Sequence, residues 1–317
     1  MNDPHRGADG VIKAGRRSGA MAAAIRRNKV LYAMFLLPAL YFLVFHYIPM
    51  IGNVIAFQKY NVVAGLFHSK WVGFDNFRLF FGDPYFWKLL RNTALLGLYG
   101  LIFNFPAPIV LALLLNELRL PLFKRFVQSV AYLPHFLSTV VIAGMIVNFL
   151  SFDGMLNQAI EWFGGEQLQF LNDPAMFRTI YIGSEVWQQI GWGTIIYLAA
   201  LTGVDPHLYE AARMDGANRW KMTVNITIPA IFPVITILFL LNIGHFLSIG
   251  YEKILLLYNG STYETADVIQ TYVYRRGLLG GDLSYSAAVG MFQSVVAYIL
   301  VIGANRITRR LGGTSLW

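Results

Sequence analysis

The chain has 317 residues, 56% of them hydrophobic and 13% charged, with 25 Lys+Arg against 17 Asp+Glu for a net charge of +8. So apolar a composition excludes an ordinary soluble domain, and the absence of cysteine excludes a disulfide framework, thiolate chemistry and cysteine metal sites. The positive charge does not mark a nucleic-acid binder, because the basic residues flank apolar runs and no basic groove with interleaved aromatics is present; membrane orientation accounts for it.

In chain order, residues 1–29 form a basic, Gly/Ala-rich tail (Arg6, Lys13, Arg16, Arg17, Arg26, Arg27, Lys29) with no apolar periodicity. The apolar run 30–57 is too long for the core of a signal peptide and reads as a first transmembrane helix, bent or ended by Pro38 and Pro49. Residues 58–92 are polar and dense in aromatics, as suits a membrane–water interface, with a short amphipathic helix expected near 74–81. Further apolar segments at 93–115, 126–150, 179–201, 226–250 and 285–305 each reach the length of about 20 helical residues that a hydrocarbon core requires. Pro106 and Pro108 fall inside the second and Pro134 inside the third, tolerable where neighbouring helices cover the freed carbonyls. The expected fold class is therefore an all-α integral membrane protein with six transmembrane helices: a six-helix transmembrane domain over 30–305 between tails 1–29 and 306–317. With six spans both termini share one side. The tails, the loop at Arg119–Arg125 and the loop around Glu210 hold roughly 16 Lys/Arg in about 74 residues, against roughly 9 in about 97 for the other loops, which puts both termini in the cytoplasm. The outer segments 151–178 and 251–284 are read as connections long enough to form an external surface.

The most informative stretch is 205–229, DPHLYEAARMDGANRWKMTVNITIP. Asp205 can cap a helix that starts at Pro206, where proline loses no needed donor. The helix runs through Tyr209, Glu210, Ala211, Ala212 and Met214, and Asp215-Gly216 breaks it. A second helix starts near Asn218 and continues into the next apolar segment. A helix this short is not stable alone in water, and with small alanines beside an acid and little apolar face it is expected to dock into a pocket on another protein.

Two spans carry polar groups at helical spacing. Glu185, Gln188, Gln189 and Trp192 fall on one face of the fourth, and Asn242, His245 and Phe246 share a face of the fifth. A carboxylate in a span should face the bundle interior or a water-filled cavity, and carboxylate, amides and rings together suit a sugar; interhelical hydrogen bonding is the plainer reading of the same groups. Catalytic signatures are missing: there is no G-x4-G-K-[ST] loop, no H-E-x-x-H and no G-x-S-x-G, and the six histidines (His5, His46, His68, His135, His207, His245) lack metal-ligand spacing. An enzyme and a metal site are thus disfavoured, and uphill transport would need another subunit to supply energy.

The stretch 205–229 resembles the EAA motif of permease subunits in binding-protein-dependent ABC importers, EAA-x2-DGA-x5-F-x2-I-x-LP. Glu210, Ala211, Ala212, Asp215, Gly216, Ala217, Ile226 and Pro229 match; Thr223 stands in place of the aromatic and Ile228 in place of leucine. FHYIPMIGNVIAF, WVGFDNF, NFPAPIVLALLLNELR, YLPHF, GWGTIIYLAAL, DVIQTYVYRRGL and the terminal SLW are similar to maltose-type carbohydrate permeases used for complex oligo- and polysaccharides. The resemblance implies a type I ABC importer permease fold in a bacterial cytoplasmic (inner) membrane, with an EAA coupling helix, a homologous second permease subunit, two ABC ATPase subunits that use ATP and Mg, an external solute-binding protein and a saccharide cargo; this chain itself would bind no cofactor. It also implies that the spans flanking the EAA loop line the substrate path. A carboxylated sugar is disfavoured beside Glu185 unless that residue is paired or protonated. A secondary transporter or channel for a small polar solute, working without ATPases, is the rival; it predicts ionisable groups in several spans and internal repeats, and neither is seen.

Overall fold

The computed structural model describes residues 27–310. Most of the basic N-terminal tail and the terminal Ser315-Leu316-Trp317 lie outside the described residues. The chain is helical, with one two-stranded antiparallel sheet, two residues per strand, its only sheet among the described residues.

Helix α1, Lys29–Phe57, is apolar throughout, yet from Lys29 to Met50 it buries no side chain. Its last turns do pack on the bundle, with Ala56 fully buried. Strands β1 (Gln58–Lys59) and β2 (Lys70–Trp71) then pair antiparallel, Gln58 opposite Trp71. The expected amphipathic helix is α2, Asp75–Phe81. Buried Asn76 fixes it by donating from Nδ2 to the carbonyls of Ala56 (2.8 Å) and Gln58 (3.0 Å). The long helices follow: α3 (Phe86–Glu117), α4 (Pro121–Tyr132), α5 (Thr139–Leu150), short α6 (Met155–Trp162), α7 (Pro174–Thr202), α8 (Pro206–Met214), α9 (Arg219–Gly244), α10 (Tyr251–Leu257), α11 (Ile269–Val273) and α12 (Leu283–Arg310). By length and composition five stretches among the described residues can cross a membrane: α1, α3, Thr139–Trp162, α9 and α12. Helix α7 is 29 residues long, about 43 Å, but more polar, carrying Arg178, Glu185, Gln188 and Gln189.

Three of the prolines leave the same mark. Wide π-turns at Leu43–Tyr47, Gly100–Asn104 and Thr223–Thr227 each end two residues before a proline: Pro49, Pro106 and Pro229. Proline has no N–H to close the ordinary turn and its ring presses on the carbonyl four residues back, so the helix widens there without breaking. Pro134 acts otherwise. The expected continuous span 126–150 is two helices, because α4 ends in a tight turn at Leu133–Phe136 and Leu137 is extended. Ser138 then caps α5, its Oγ accepting from Val141 N at 3.3 Å.

The packing is layered along α7. Towards its start Phe177, Tyr181 and Ile182 pack with Leu96, Ala143, Ile254 and Val268; towards its end Tyr197 and Leu201 pack with Ala112 and Ile231. Close approach is set by Gly191, where a Cβ would lie 2.0 Å from the backbone oxygen of Ala131 on α4. Gly290 on α12 has nothing within 4 Å of the corresponding position. Gly191→Ala is therefore expected to lower the stability of the protein by about 1–3 kcal/mol. Gly290→Ala should leave it unchanged or raise it by up to about 1 kcal/mol. Thermal unfolding midpoints in detergent measure both.

Outside the bundle, Asp83 gathers the loops. It accepts from Tyr272 Oη (2.6 Å), Arg276 Nη1 (3.1 Å) and Tyr285 Oη (3.2 Å). Burial pushes its carboxyl up, but the hydrogen bonds from Tyr272, the Tyr85 backbone and Tyr285, with the charge of Arg276, outweigh that and hold it below the ordinary range. The stability this hub contributes is thus present above the ordinary carboxylate pKa and lost as pH falls through the lowered one.

Candidate coupling helix and substrate path

Helix α8 forms as its local sequence dictates. Asp205 Oδ1 accepts from His207 N at 2.9 Å and Pro206 opens the first turn. The helix ends at Met214 and the chain turns at Gly216, whose φ of +74° suits only glycine well, while Ala217 N closes back onto Ala212 O at 2.9 Å. Asn218 caps α9 through Lys221 N at 2.8 Å. No residue of α8 is buried. Glu210 and Ala211 are exposed, and Ala212 and Ala217 half-buried. His207 Nδ1 lies 3.3 Å from Glu210 Oε2, both largely open to solvent. Tyr209 Oη meets Thr227 Oγ1 at 3.0 Å, inside the π-turn of α9. Arg219 at the start of α9 pairs with Glu117 at the end of α3, 3.6 Å apart. The short helix is thus an exposed knob tied to α9 through Tyr209 and Thr227, and α9 is in turn tied to α3.

The polar face of α7 divides in two. Glu185 is not a lone carboxylate: Lys253 Nζ, on α10, forms an ion pair with Glu185 Oε1 and donates to Gln188 Oε1 at 2.6 Å. Lys253 is only 3% exposed and Gln188 is buried, so this half is an internal network and not an open wall. The expectation that the whole face lines a cavity is corrected for Gln188. It failed because the partner lies in a segment read as an external connection. Helix α10 instead folds back against α5, α7 and α11.

The other half stays accessible. Gln189 Oε1 lies 3.0 Å from His135 Nδ1, and the His135 ring stacks on Trp192 with centroids 4.4 Å apart and planes 4° from parallel. Phe136 meets Trp192 edge-on at 5.8 Å, and Trp192 remains 46% exposed. His135 and Phe136 arrive here because Pro134 breaks the chain between α4 and α5. In the fifth span the shared face does not exist. Helix α9 ends at Gly244, so His245 and Phe246 lie in a turn beyond it, while exposed Asn242 donates from Nδ2 to its own helix at Leu238 O, 3.1 Å. Phe246 packs instead against Gly97 of α3, where a Cβ would lie 2.5 Å from its carbonyl oxygen. Pattern alone extended the helix, because Phe246, Leu247 and Ile249 carry apolar character past its end. Among the described residues no cluster of three His, Asp or Glu could hold a metal.

The chain matches the family model described as binding-protein-dependent transport system inner membrane component over residues 105–312. It is 46% identical over 310 residues to the polygalacturonan/rhamnogalacturonan transport system permease protein YteP of Bacillus subtilis (strain 168), covering 98% of this chain and 97% of that one. It is 45% identical over 308 residues to protein LplB of the same organism, covering 97% and 96%. Among solved structures it is similar to a bacterial ABC transporter involved in the import of the acidic polysaccharide alginate, with TM-score 0.85, 43% identity and coverage of 92% of this chain and 99% of that one. The same fit, TM-score 0.85 at 43% identity over 93% and 99%, holds for the alginate transporter in complex with alginate pentasaccharide-bound periplasmic protein. The fold is therefore that of a type I ABC importer permease, a class in which ATP hydrolysis is the work of separate subunits. Since the family match takes in every helix from the middle of α3 to α12, the chain belongs to the binding-protein-dependent transport system inner membrane components, the permease subunits of ABC importers.

Proposed function

We propose that this permease carries an acidic oligo- or polysaccharide inward across the bacterial cytoplasmic membrane, with a homologous second permease, two ATPase subunits and an external solute-binding protein. The observation that carries this reading is whole-chain similarity, at 46% and 43% identity, to a polygalacturonan/rhamnogalacturonan permease and to an alginate importer. The geometry agrees with it. The carboxylate that would repel a uronate, Glu185, is neutralised inside the fold by Lys253.

In this reading all six long apolar segments cross the membrane, α7 included, and both termini and α8 face the cytoplasm, as the Lys/Arg distribution requires. Helix α8, with Glu210, Ala211, Ala212, Asp215, Gly216 and Ala217, seats in a pocket of an ATPase. Glu210 meets a basic group there in place of His207, and the alanines permit close approach. When the ATPases close on ATP, the knob moves, its tie at Thr227 passes the motion to α9, and the Arg219–Glu117 pair passes it from α9 to α3. Gln189 and Trp192, with His135, supply a hydrogen-bonding and stacking wall for the sugar, and Asn242 a further exposed amide; Glu185 and Gln188 support that wall from behind. His245 and Phe246 shape the turn at the outer end of α9.

Proteoliposomes holding the co-purified complex test this. Oligogalacturonide delivered by the binding protein should accumulate only with ATP inside and with the ATPase subunits present. Uptake that persists without the ATPases would establish the secondary-transporter alternative, and uptake restricted to neutral glycans would remove the acidic-substrate reading.

A further inference from the structure

Most of the cationic side chains at the outer ends of the helices are matched to carboxylates. Arg275 grips Asp267 through two N–H···O bonds of 2.9 and 2.7 Å. Arg276 lies 3.1 Å from Asp83 and 3.4 Å from Asp282, and Lys88 lies 2.8 Å from Glu264. Arg178, in the second turn of α7, is different. Among the described residues no carboxylate pairs with it; its Nη2 donates to Asn92 Oδ1 at 2.9 Å, and its Nε is buried with no partner. The titratable groups that act on it are Tyr99 and Arg91, and neither is a carboxylate.

The single bond it makes holds it in place. Asn92 is 1% exposed, and its Nδ2 donates to two backbone oxygens, Glu264 O at 2.9 Å and Asp267 O at 3.0 Å. Those bonds fix which end of the amide faces Arg178. The guanidinium is therefore aimed, half-buried and unneutralised, a state that stays costly until an anion arrives. It opens on a cavity of about 570 Å³ between α3 and α7 that is also lined by Tyr99, Phe103, Thr179 and Gly183. Gly183 leaves open space there, with nothing within 4 Å of a would-be Cβ. Arg178 lies on the same face of α7 as Gln189 and Trp192, eleven and fourteen residues before them and so about 17–21 Å nearer the helix start.

We propose that this cavity is a carboxylate subsite for one uronate unit of the cargo. Arg178 takes the carboxylate through its unused N–H donors, whose fork geometry matches it. The Tyr99 and Phe103 rings take the CH faces of the sugar, and Thr179 offers a hydroxyl. Asn92 is a positioning residue. The proposal rests on the acidic-saccharide reading above and adds to it a defined place for the charge.

The test uses the assembled importer in proteoliposomes with its binding protein, supplied with an oligogalacturonide or with its carboxyl-reduced form of equal length. In Arg178→Gln, uptake of the oligogalacturonide should fall at least about tenfold, as the loss of a charge-assisted hydrogen bond predicts. Uptake of the reduced oligomer, relative to wild type, should stay within about twofold, as should ATPase stimulation by the loaded binding protein; Arg178→Lys, which keeps the charge but not the fork, should retain more uronate uptake than Arg178→Gln and less than wild type. Equal losses for both oligomers, with ATPase stimulation lost too, would make Arg178 a structural residue whose partner is a carboxylate on the sister subunit, and would overturn the proposal. Unchanged uronate uptake in Arg178→Gln would overturn it while leaving the acidic-saccharide reading intact. A wild-type importer that moves only the reduced oligomer would overturn both.

Discussion

Lys253→Met is expected to destabilise the assembled permease by about 3–5 kcal/mol, the range for removing one partner of a buried ion pair. Lys253 is 3% exposed and serves two acceptors at once, Glu185 and Gln188. Without it the Glu185 carboxylate, 24% exposed, would be left in the interior beside an amide oxygen, and within a membrane water has little access to relieve it. The loss belongs to the stranded charge more than to the bond. Lys253→Met combined with Glu185→Gln should therefore recover most of the stability, because the carboxylate that needed Lys253 is gone. Thermal unfolding midpoints of the complex in detergent, taken as a double-mutant cycle, decide the matter. Equal loss in the single and double variants would mean that Lys253 contributes by packing alone.

This network also marks the limit of what the chain reveals before it folds. The ends of α8 were legible because each depends on neighbours in sequence: Asp205 reaches two residues ahead, Pro206 sets one angle, Gly216 turns one corner, and Asn218 caps three residues on. Helix α2 and the apolar segments were legible for the same reason, since periodicity and length are local. Lys253 was not. Its burial is tolerable only because Glu185 waits 68 positions earlier, and a lysine within YEKILLL looks like the polar edge of a loop. The same holds for the Asn92–Arg178 contact, 86 positions apart, and for the stacking of His135 on Trp192. His135 reaches Trp192 only because Pro134 breaks a segment whose apolar pattern reads straight through. At His245 and Phe246 the error ran the other way: apolar character continued past the point where the helix stops.

Gly216→Pro is expected to cut coupled uptake at least tenfold, about 1.4 kcal/mol, while the complex still assembles and its ATPase still turns over. At +74° the backbone of Gly216 lies where proline, held near −65°, cannot go. Its N–H also donates to Arg213 O at 3.1 Å, a bond proline removes. The corner between α8 and α9 must then be rebuilt. The knob that carries Glu210, Ala211 and Ala212 would point elsewhere, although none of these residues is altered and none of α8 is buried in the bundle. Gly216→Asn separates this from mere crowding. Asparagine tolerates the left-handed region at a modest cost, and a Cβ there meets nothing within 4 Å. It should keep uptake near wild type, whereas proline should not. If both variants import sugar at the wild-type ratio of ATP to cargo, the corner does not transmit force, and α8 is only a connection between α7 and α9.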